Sequence, residues 1–335
     1  MNIQHELPNV HWIWNGSIGY VYEVHPGIVA KVLSRPDDEE EAQHNKNNFA
    51  KELAIYRKLG QNQPCPFIVQ WYHLTDNCIF LEYMRHMSLS SRIQDNQIKF
   101  ELTQLVIGLH KLEPLPLRLE WMDHLTQAVA FLESLNLAHG DLRPENILLD
   151  NDRLKLCDFD NTEEIGTELE AVATSYGRDL NSNETDQGEP GTPGRLGART
   201  EQFALGCLFY YINHGYELYR DRWLTEDHRE HNIAVRDRLQ NMIFPELNDS
   251  EIDNIIDRCW HNKYTTISDL ATHVASLRAK ETGEVSQSDG SECDDDYIMK
   301  KTLCQEMEKN GLISKLSSGS PEELGFQCEF YRHAY

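Results

Sequence analysis

Asp141, Asn146 and Asp158 have the side-chain types and the spacing to hold a hard cation beside a reacting hydroxyl. The first two lie in His139-Gly140-Asp141-Leu142-Arg143-Pro144-Glu145-Asn146. An apolar run Ile147-Leu148-Leu149, a turn at Asp150-Asn151-Asp152 and a second run Leu154-Lys155-Leu156-Cys157 then lead to Asp158-Phe159-Asp160. A strand, a polar turn and a second strand predict a hairpin that carries Asp141, Asn146 and Asp158 towards one place. Mg²⁺ takes oxygen ligands and keeps positions for substrate phosphates, so Asn146 and Asp158 at the two ends of a hairpin make a metal clamp. Asp141 is close enough in the same loop to take or orient a hydroxyl proton as it attacks a phosphoryl group. The same residues also suit an Asp- and Asn-rich surface turn, so the surrounding elements must decide.

Upstream, two strand-like runs from Val10 to Leu33 are linked by Gly16-Ser17-Ile18-Gly19-Tyr20-Val21, and the second turns at His25-Pro26-Gly27 into Ile28-Val29-Ala30-Lys31-Val32-Leu33. Lys31, inside an apolar strand, must reach an edge or find an anionic partner. After an acidic connector, Asp37 to Glu41, Phe49 to Leu59 reads as an amphipathic helix with Phe49, Leu53, Tyr56 and Leu59 on one face. Glu52 lies beside that face and is the natural partner of Lys31. Two further strands, Phe67 to Tyr72 and Cys78 to Met84, flank a turn at Thr75-Asp76-Asn77. From Ser88 to Leu137 the pattern turns helical, over Phe100 to Leu112 and Leu125 to Leu135.

Residues 161–200 are poor in apolar side chains and broken by Gly188-Glu189-Pro190-Gly191-Thr192-Pro193-Gly194, which predicts a long mobile loop. Thr200 to Ile212 opens on a cap and is then almost wholly apolar, a buried helix. More helices are expected at Ile233 to Met242, Glu251 to Trp260 and Ile267 to Leu277. Glu281 to Asp296 reads as an acidic linker. Tyr297 to Leu316 has helical spacing and ends in an aromatic tail, which is expected to dock on the helical part of the protein or to bind a partner.

The 335 residues suffice for a bilobal unit, and 40% hydrophobic content suits a packed core. A net charge of −24 argues against nucleic-acid backbones and anionic membrane surfaces as main partners, and weakly favours basic ones. The first residues lack the basic start and apolar run of a signal peptide, and no stretch of about 18 apolar residues offers a span, so a cytoplasmic place is expected. The eight cysteines are scattered without a C-x-x-C and read as reduced packing residues.

The order H-x-D-L-x-x-x-N followed by D-F-x resembles the catalytic loop and metal-binding motif of eukaryotic protein kinases. Thr200-Glu201-Gln202-Phe203-Ala204-Leu205-Gly206 and Cys259-Trp260-His261-Asn262-Lys263-Tyr264 resemble divergent protein-kinase-like proteins found in fungi. The resemblance covers roughly residues 10 to 278 and implies an α+β, bilobal fold. It places a kinase-like domain at 8–280, divided into a small β-rich lobe at 8–84 and a large helical lobe at 85–280, with a linker at 281–296 and a helical tail at 297–335. It implies ATP and Mg²⁺, with Asp141 orienting the nucleophile, Arg143 stabilising the transferred group, and Asn146 and Asp158 holding metal. Gly16, Gly19, Val21, Val29, Lys31, Glu52, Glu82, Met84 and Leu148 would bind the nucleotide. Within that set Lys31 with Glu52 holds phosphates, the backbone of Glu82 and Met84 meets the adenine, and Leu81 is the gatekeeper. Cys157 would sit by the nucleotide.

Four departures stand out. Trp14 occupies the place of the first loop glycine, Gly140 replaces an Arg that clasps an activation-loop phosphate, Arg143 replaces a Lys, and Asp160 replaces the last Gly of D-F-G. No Ala-Pro-Glu is present, Tyr176-Gly177-Arg178 standing in its region, and its Arg partner is also missing from the Cys-Trp turn. The expected activity is γ-phosphate transfer to Ser/Thr hydroxyls of protein substrates, with a taste for basic peptides from Glu145, competent without activation-loop switching. A pseudokinase scaffold and a small-molecule phosphotransferase are the alternatives.

Overall fold

The computed structural model describes residues 3–101, 104–170, 172–225, 227, 230–283 and 294–330. Strands β1 (His11–Asn15), β2 (Gly19–His25) and β3 (Ile28–Leu33) are followed by helix α1 (Glu39–Leu59), then β4 (Trp71–Thr75) and β5 (Cys78–Glu82). The five strands form one antiparallel sheet in the order β1-β2-β3-β5-β4. All six residues of β3 are buried. Alternation along a strand explains this only if both faces are covered. Val29 and Leu33 pack with Phe49, Leu53 and Tyr56 of α1, whereas Ile28, Ala30 and Val32 belong to a second core on the opposite face.

Helix α1 begins well before Phe49. Asp38 is its N-cap, the carboxylate accepting the Glu41 N–H at 2.8 Å, and Glu39, Glu40 and Glu41 form the first turn. The acids expected as a connector are therefore helical, because carboxylates are favourable at the positive end of a helix.

The helical part starts with α2 (Leu89–Gln94). Strands β6 (Gln97–Lys99) and β7 (Val106–Leu109) then pair where a helix was expected over Phe100 to Leu112. Residues 102–103 of that stretch lie outside the described residues. Of its apolar side chains Val106 is buried, but Phe100 and Ile107 are exposed. The hairpin is fixed instead by Gln97 Nε2 donating to Gly215 O at 2.7 Å and Val106 N to Arg220 O at 3.0 Å. The long helix comes next, α3 (Leu115–Ser134), with Trp121 fully buried. Short strand β8 (Leu137–Ala138) leads into the loop at His139, and β9 (Ile147–Asp150) and β10 (Arg153–Leu156) form the hairpin beyond it. Strand β11 (Glu163–Glu164) pairs back onto β8.

Residues 161–200 are not a bare loop. Leu180 and Leu196 are buried, Arg178 pairs with Glu184 at 2.5 Å, and Asp179 pairs with Arg236 at 2.7 Å. Helices α4 (Ala198–His214), α5 (His231–Gln240), α6 (Glu251–Trp260) and α7 (Ile267–Thr282) follow. The α4 cap is Gly197, which exchanges hydrogen bonds with the Thr200 hydroxyl, so Thr200 lies inside the first turn instead of capping it.

Of the expected linker, residues 284–293 lie outside the described residues, while Glu281 and Thr282 close α7 and Asp294 opens α8 (Asp294–Lys309). Gly311, at φ 78°, breaks the tail into α8 and α9 (Leu312–Leu316). The tail docks on the small-lobe sheet, not on the helical part. Cys304, Leu312, Leu316, Leu324 and Phe326 are buried against Trp12, Tyr22, Val32, Tyr72 and Phe80. Its last described stretch runs beside β1, with Glu329 N donating to Trp12 O at 2.8 Å, Glu329 beside His11 at 3.1 Å, and Phe330 edge-on to Trp14 at 5.9 Å. The sheet face carried by Ile28, Ala30 and Val32 is apolar and needs a cover, which the large lobe is on the wrong side to provide. The fold is α+β, with a β-rich N-terminal and a helical C-terminal part.

Candidate active site

Two groups of side chains meet between these parts. The first centres on Lys31, which β3 aims towards α1. Its Nζ lies 2.8 Å from Glu52 and 2.7 Å from Asp158, and Glu52 is wholly buried. Burial alone would lower the Lys31 pKa, but Asp158 and Glu52 outweigh it and raise it. One cation shared by two carboxylates cannot satisfy both equally. Asp158 is held below its usual range by Lys31 despite burial, while burial pushes Glu52 up to about 7 against the pull of Lys31.

The second group is the loop itself. Asn146 Nδ2 donates to the backbone carbonyl and the carboxylate of Asp141, both at 2.9 Å, and Arg143 Nε lies 3.2 Å from the same carboxylate. The loop is pinned from below by Glu201 of α4, whose carboxylate accepts the N–H of His139 at 2.8 Å and of Gly140 at 3.3 Å. Burial raises the Glu201 pKa, opposed by these same donors. Asp158 stands at φ 67°, and Phe159 is fully buried, edge-on to Tyr56 at 5.3 Å and beside His139 at 5.4 Å. This aromatic column ties α1, the Asp158 turn and the loop together. Sequence spacing did not show it, because Phe159 is 20 positions from His139 and 103 from Tyr56; the one signal was an aromatic directly after Asp158.

The sequence departures take on physical reasons. Gly140 is at φ 80°, and a Cβ there would sit 2.6 Å from Asn161 O. Gly140→Arg is therefore expected to lower stability by about 1–3 kcal/mol and to reduce activity. Urea unfolding and turnover measured on the same preparation check both. Asp160 is absent from the positive-φ positions, so no glycine is required there. Its carboxylate accepts from Asn161 at 2.8 Å and from Ser17 in the glycine loop at 3.4 Å, and burial together with the charge of Asp158 raises its pKa.

Of the expected nucleotide residues, Gly16 N–H bonds Gly19 O at 2.9 Å, and a Cβ on Gly19 would meet Val32 O at 2.7 Å, so this turn lies flat on β3. Val21 is opposite Lys31 and Val29 opposite Leu81 in the sheet. Leu148 pairs with Lys155 across the β9–β10 hairpin. Met84 is buried. At Glu82 the N–H is committed to Gln70 O at 2.8 Å, and the carboxylate pairs with Arg153 at 2.8 Å and with Lys155, so a bond to adenine would fall to its backbone carbonyl. That amide is not open to a base. Cys157 Sγ lies 3.3 Å from Asn146 O, and burial raises its thiol well above the usual range.

Asn146, whose Nδ2 is turned to Asp141, keeps an oxygen to offer, as does Asp158. Two hard oxygen donors fit Mg²⁺ brought with substrate phosphates; among the described residues no cluster of three His, Cys, Asp or Glu competes as a metal site. No helix among them is long and apolar enough to cross a membrane.

The family model described as "Protein kinase domain" matches residues 9–274. The probable serine/threonine-protein kinase gdt8 of Dictyostelium discoideum is 24% identical over 265 residues, 74% of this chain and 18% of that protein. Its compatriot gdt4 is 24% identical over 260 residues, covering 75% of this chain and 14% of that protein. The dual specificity protein kinase Ttk of Danio rerio is 24% identical over 198 residues, 53% of this chain and 19% of that protein. The chain thus spans less than a fifth of each of these relatives. With its catalytic-loop geometry and this match over most of its length, the chain belongs to the protein kinase family.

Proposed function

We propose that this chain transfers the γ-phosphate of ATP, with Mg²⁺, to Ser/Thr hydroxyls of proteins, in a unit comprising residues 8–280. The reading rests on one observation: Lys31, Glu52 and Asp158 are joined by ion pairs beside a loop in which Asn146 is hydrogen-bonded to Asp141 and Arg143 lies 3.2 Å from the same carboxylate. Asp141 orients the hydroxyl and draws its proton, held in place by the Asn146 amide. Arg143 offers positive charge beside it. Lys31, fixed by Glu52, holds phosphate oxygens under the Gly16–Gly19 turn. Mg²⁺ bound through Asn146 and Asp158 would neutralise the charge of the transferred group.

Switching by a phosphate on the 161–200 segment is not required in this reading. Gly140 carries no side chain to clasp one, and the segment is already tied by Arg178–Glu184 and Asp179–Arg236. Substrates are basic: Glu145 lies near Glu217, whose pKa burial raises and which accepts from Tyr176 at 3.1 Å. A cytoplasmic site of action is part of the same proposal.

The test is transfer of labelled phosphate from Mg·ATP to a peptide library by the wild type and Asp141→Asn. Wild-type transfer to basic Ser/Thr peptides is expected, with kcat reduced by ~10²–10⁴ in the variant. Equal, negligible transfer by both proteins with Mg·ATP still bound would replace this reading with a binding scaffold. Transfer to small alcohols alone would replace it with a small-molecule phosphotransferase.

A further inference from the structure

A cavity of about 370 Å³ opens between the end of the 161–200 segment and the turn joining α6 to α7, away from Lys31 and Asp158. Arg195, Arg199, Lys263, Asn262 and Gln187 line it, together with the start of α4 at Gly197 and Ala198. No Asp or Glu lines it, in a chain that has 55 of them. The first amides of a helix have no intrahelical acceptor and carry its positive pole, so this end of α4 adds donors to the cations.

Arg199 is the informative member. It is 7% exposed, and Nη2 donates to Pro193 O, but Nε has no hydrogen bond among the described residues. Burial, and then the nearby Arg178, push its guanidinium down to about 10. The nearest carboxylate, Glu184, is committed to Arg178 through both oxygens and to the Asn181 N–H at 3.1 Å. Arg195 bridges Glu168 through backbone alone, and neither Arg195 nor Lys263 forms an ion pair among the described residues. Three cations and a helix N-terminus thus line one cavity with no carboxylate on its wall, and one of the cations, Arg199, is a buried guanidinium whose Nε makes no hydrogen bond among the described residues.

We propose that this cavity binds the phosphorylated side chain of a phosphoserine or phosphothreonine peptide. Guanidinium forks and helix N-termini both match phosphate oxygens, and the volume exceeds what one inorganic ion fills. Nucleic acid and anionic lipid headgroups share this chemistry but come on large negative surfaces, which a net charge of −24 repels. Arg199 also lines a small cavity of about 30 Å³ against Asp141. A phosphopeptide held at the larger cavity therefore lies next to the substrate side of the loop.

Fluorescence anisotropy on the full chain tests this with a phosphoserine peptide and its unphosphorylated twin. The phosphopeptide is expected to bind at least about tenfold more tightly. Arg195→Gln with Lys263→Gln, both at exposed positions, is expected to remove that preference, whereas Lys46→Gln with Lys309→Gln, equal in charge change, keeps it. Asp141→Asn is expected to bind like the wild type, since the site does not depend on phosphoryl transfer. Equal affinity for both peptides, or a preference that survives Arg195→Gln with Lys263→Gln, overturns the proposal. So does inorganic phosphate competing as well as the peptide at equal concentration, which would assign the cavity to the free anion.

Discussion

A chain ended at Gly283, beyond the 9–274 family match but before α8, is expected to fail to fold its small lobe and to aggregate. The loss uncovers Trp12, Tyr22, Val24, Val32, Tyr72 and Phe80 on one sheet face, all at or below 8% exposure with the tail in place. Each Leu or Phe of the tail removed from water contributes ~1.5–3 kcal/mol. Cys304, Leu312, Leu316, Leu324 and Phe326 together reach the scale of the ~5–15 kcal/mol that keeps a domain folded. An uncovered patch of this kind is also an association hazard. Polar ties alone would not hold the tail: Lys315–Glu6 at 2.7 Å and His73–Glu308 at 2.6 Å are surface pairs. The full chain carrying Leu316→Asp separates packing from length. It is expected to lower the urea midpoint and bind a hydrophobic dye, while Lys315→Ala changes little. A soluble chain ended at Gly283 with an unchanged midpoint would show that the tail is dispensable to the fold.

That tail shows where sequence reading stops. The spacing of Ile298, Leu303, Met307 and Leu312 foretold helix, yet Ile298 is exposed and Leu312 begins a second helix, and helical spacing does not say what covers Leu303 and Met307. The same holds for 161–200, where Arg178, Asp179 and Glu184 look like loop residues until their partners are seen. Asp37–Glu41 looked like a linker because acidic runs usually are solvated, yet acids also favour a first helical turn. Phe100 to Leu112 misled because β-branched Val106 and Ile107 suit a hairpin as well as a helix face. What was legible was chemistry with a fixed local order: a lysine in an apolar strand, a glutamate on the next helix, and a loop whose Asp, Asn and later Asp had to converge. Glu201 stood in the sequence only as one residue of the Thr200 to Gly206 stretch; its reach of 62 positions to the His139 amide needed the fold.

Lys31→Met is expected to abolish transfer and also to destabilise the protein, more at high pH than at low. Removing the one cation between Glu52 and Asp158 leaves buried negative charge unpaired, a change that costs about 3–5 kcal/mol in comparable sites. The pH dependence follows from Glu52. Its folded pKa is raised to about 7 from the ordinary value of 4.5 even with Lys31 present, and loss of Lys31 raises it further. A carboxylic acid with a raised folded pKa contributes stability below its unfolded value and loses it as pH rises through the folded one. Asp158, whose pKa Lys31 depresses, has the opposite sign and matters below about pH 4. Urea midpoints at about pH 8 and about pH 5.5 isolate Glu52. The deficit of Lys31→Met against wild type should be large at the first and shrink at the second. Adding Glu52→Gln should recover stability at about pH 8 without restoring transfer, a non-additive pair as expected for residues in contact. An equal deficit at both pH values, or a double variant weaker than Lys31→Met alone, would show that the lysine holds the fold through something other than these carboxylates.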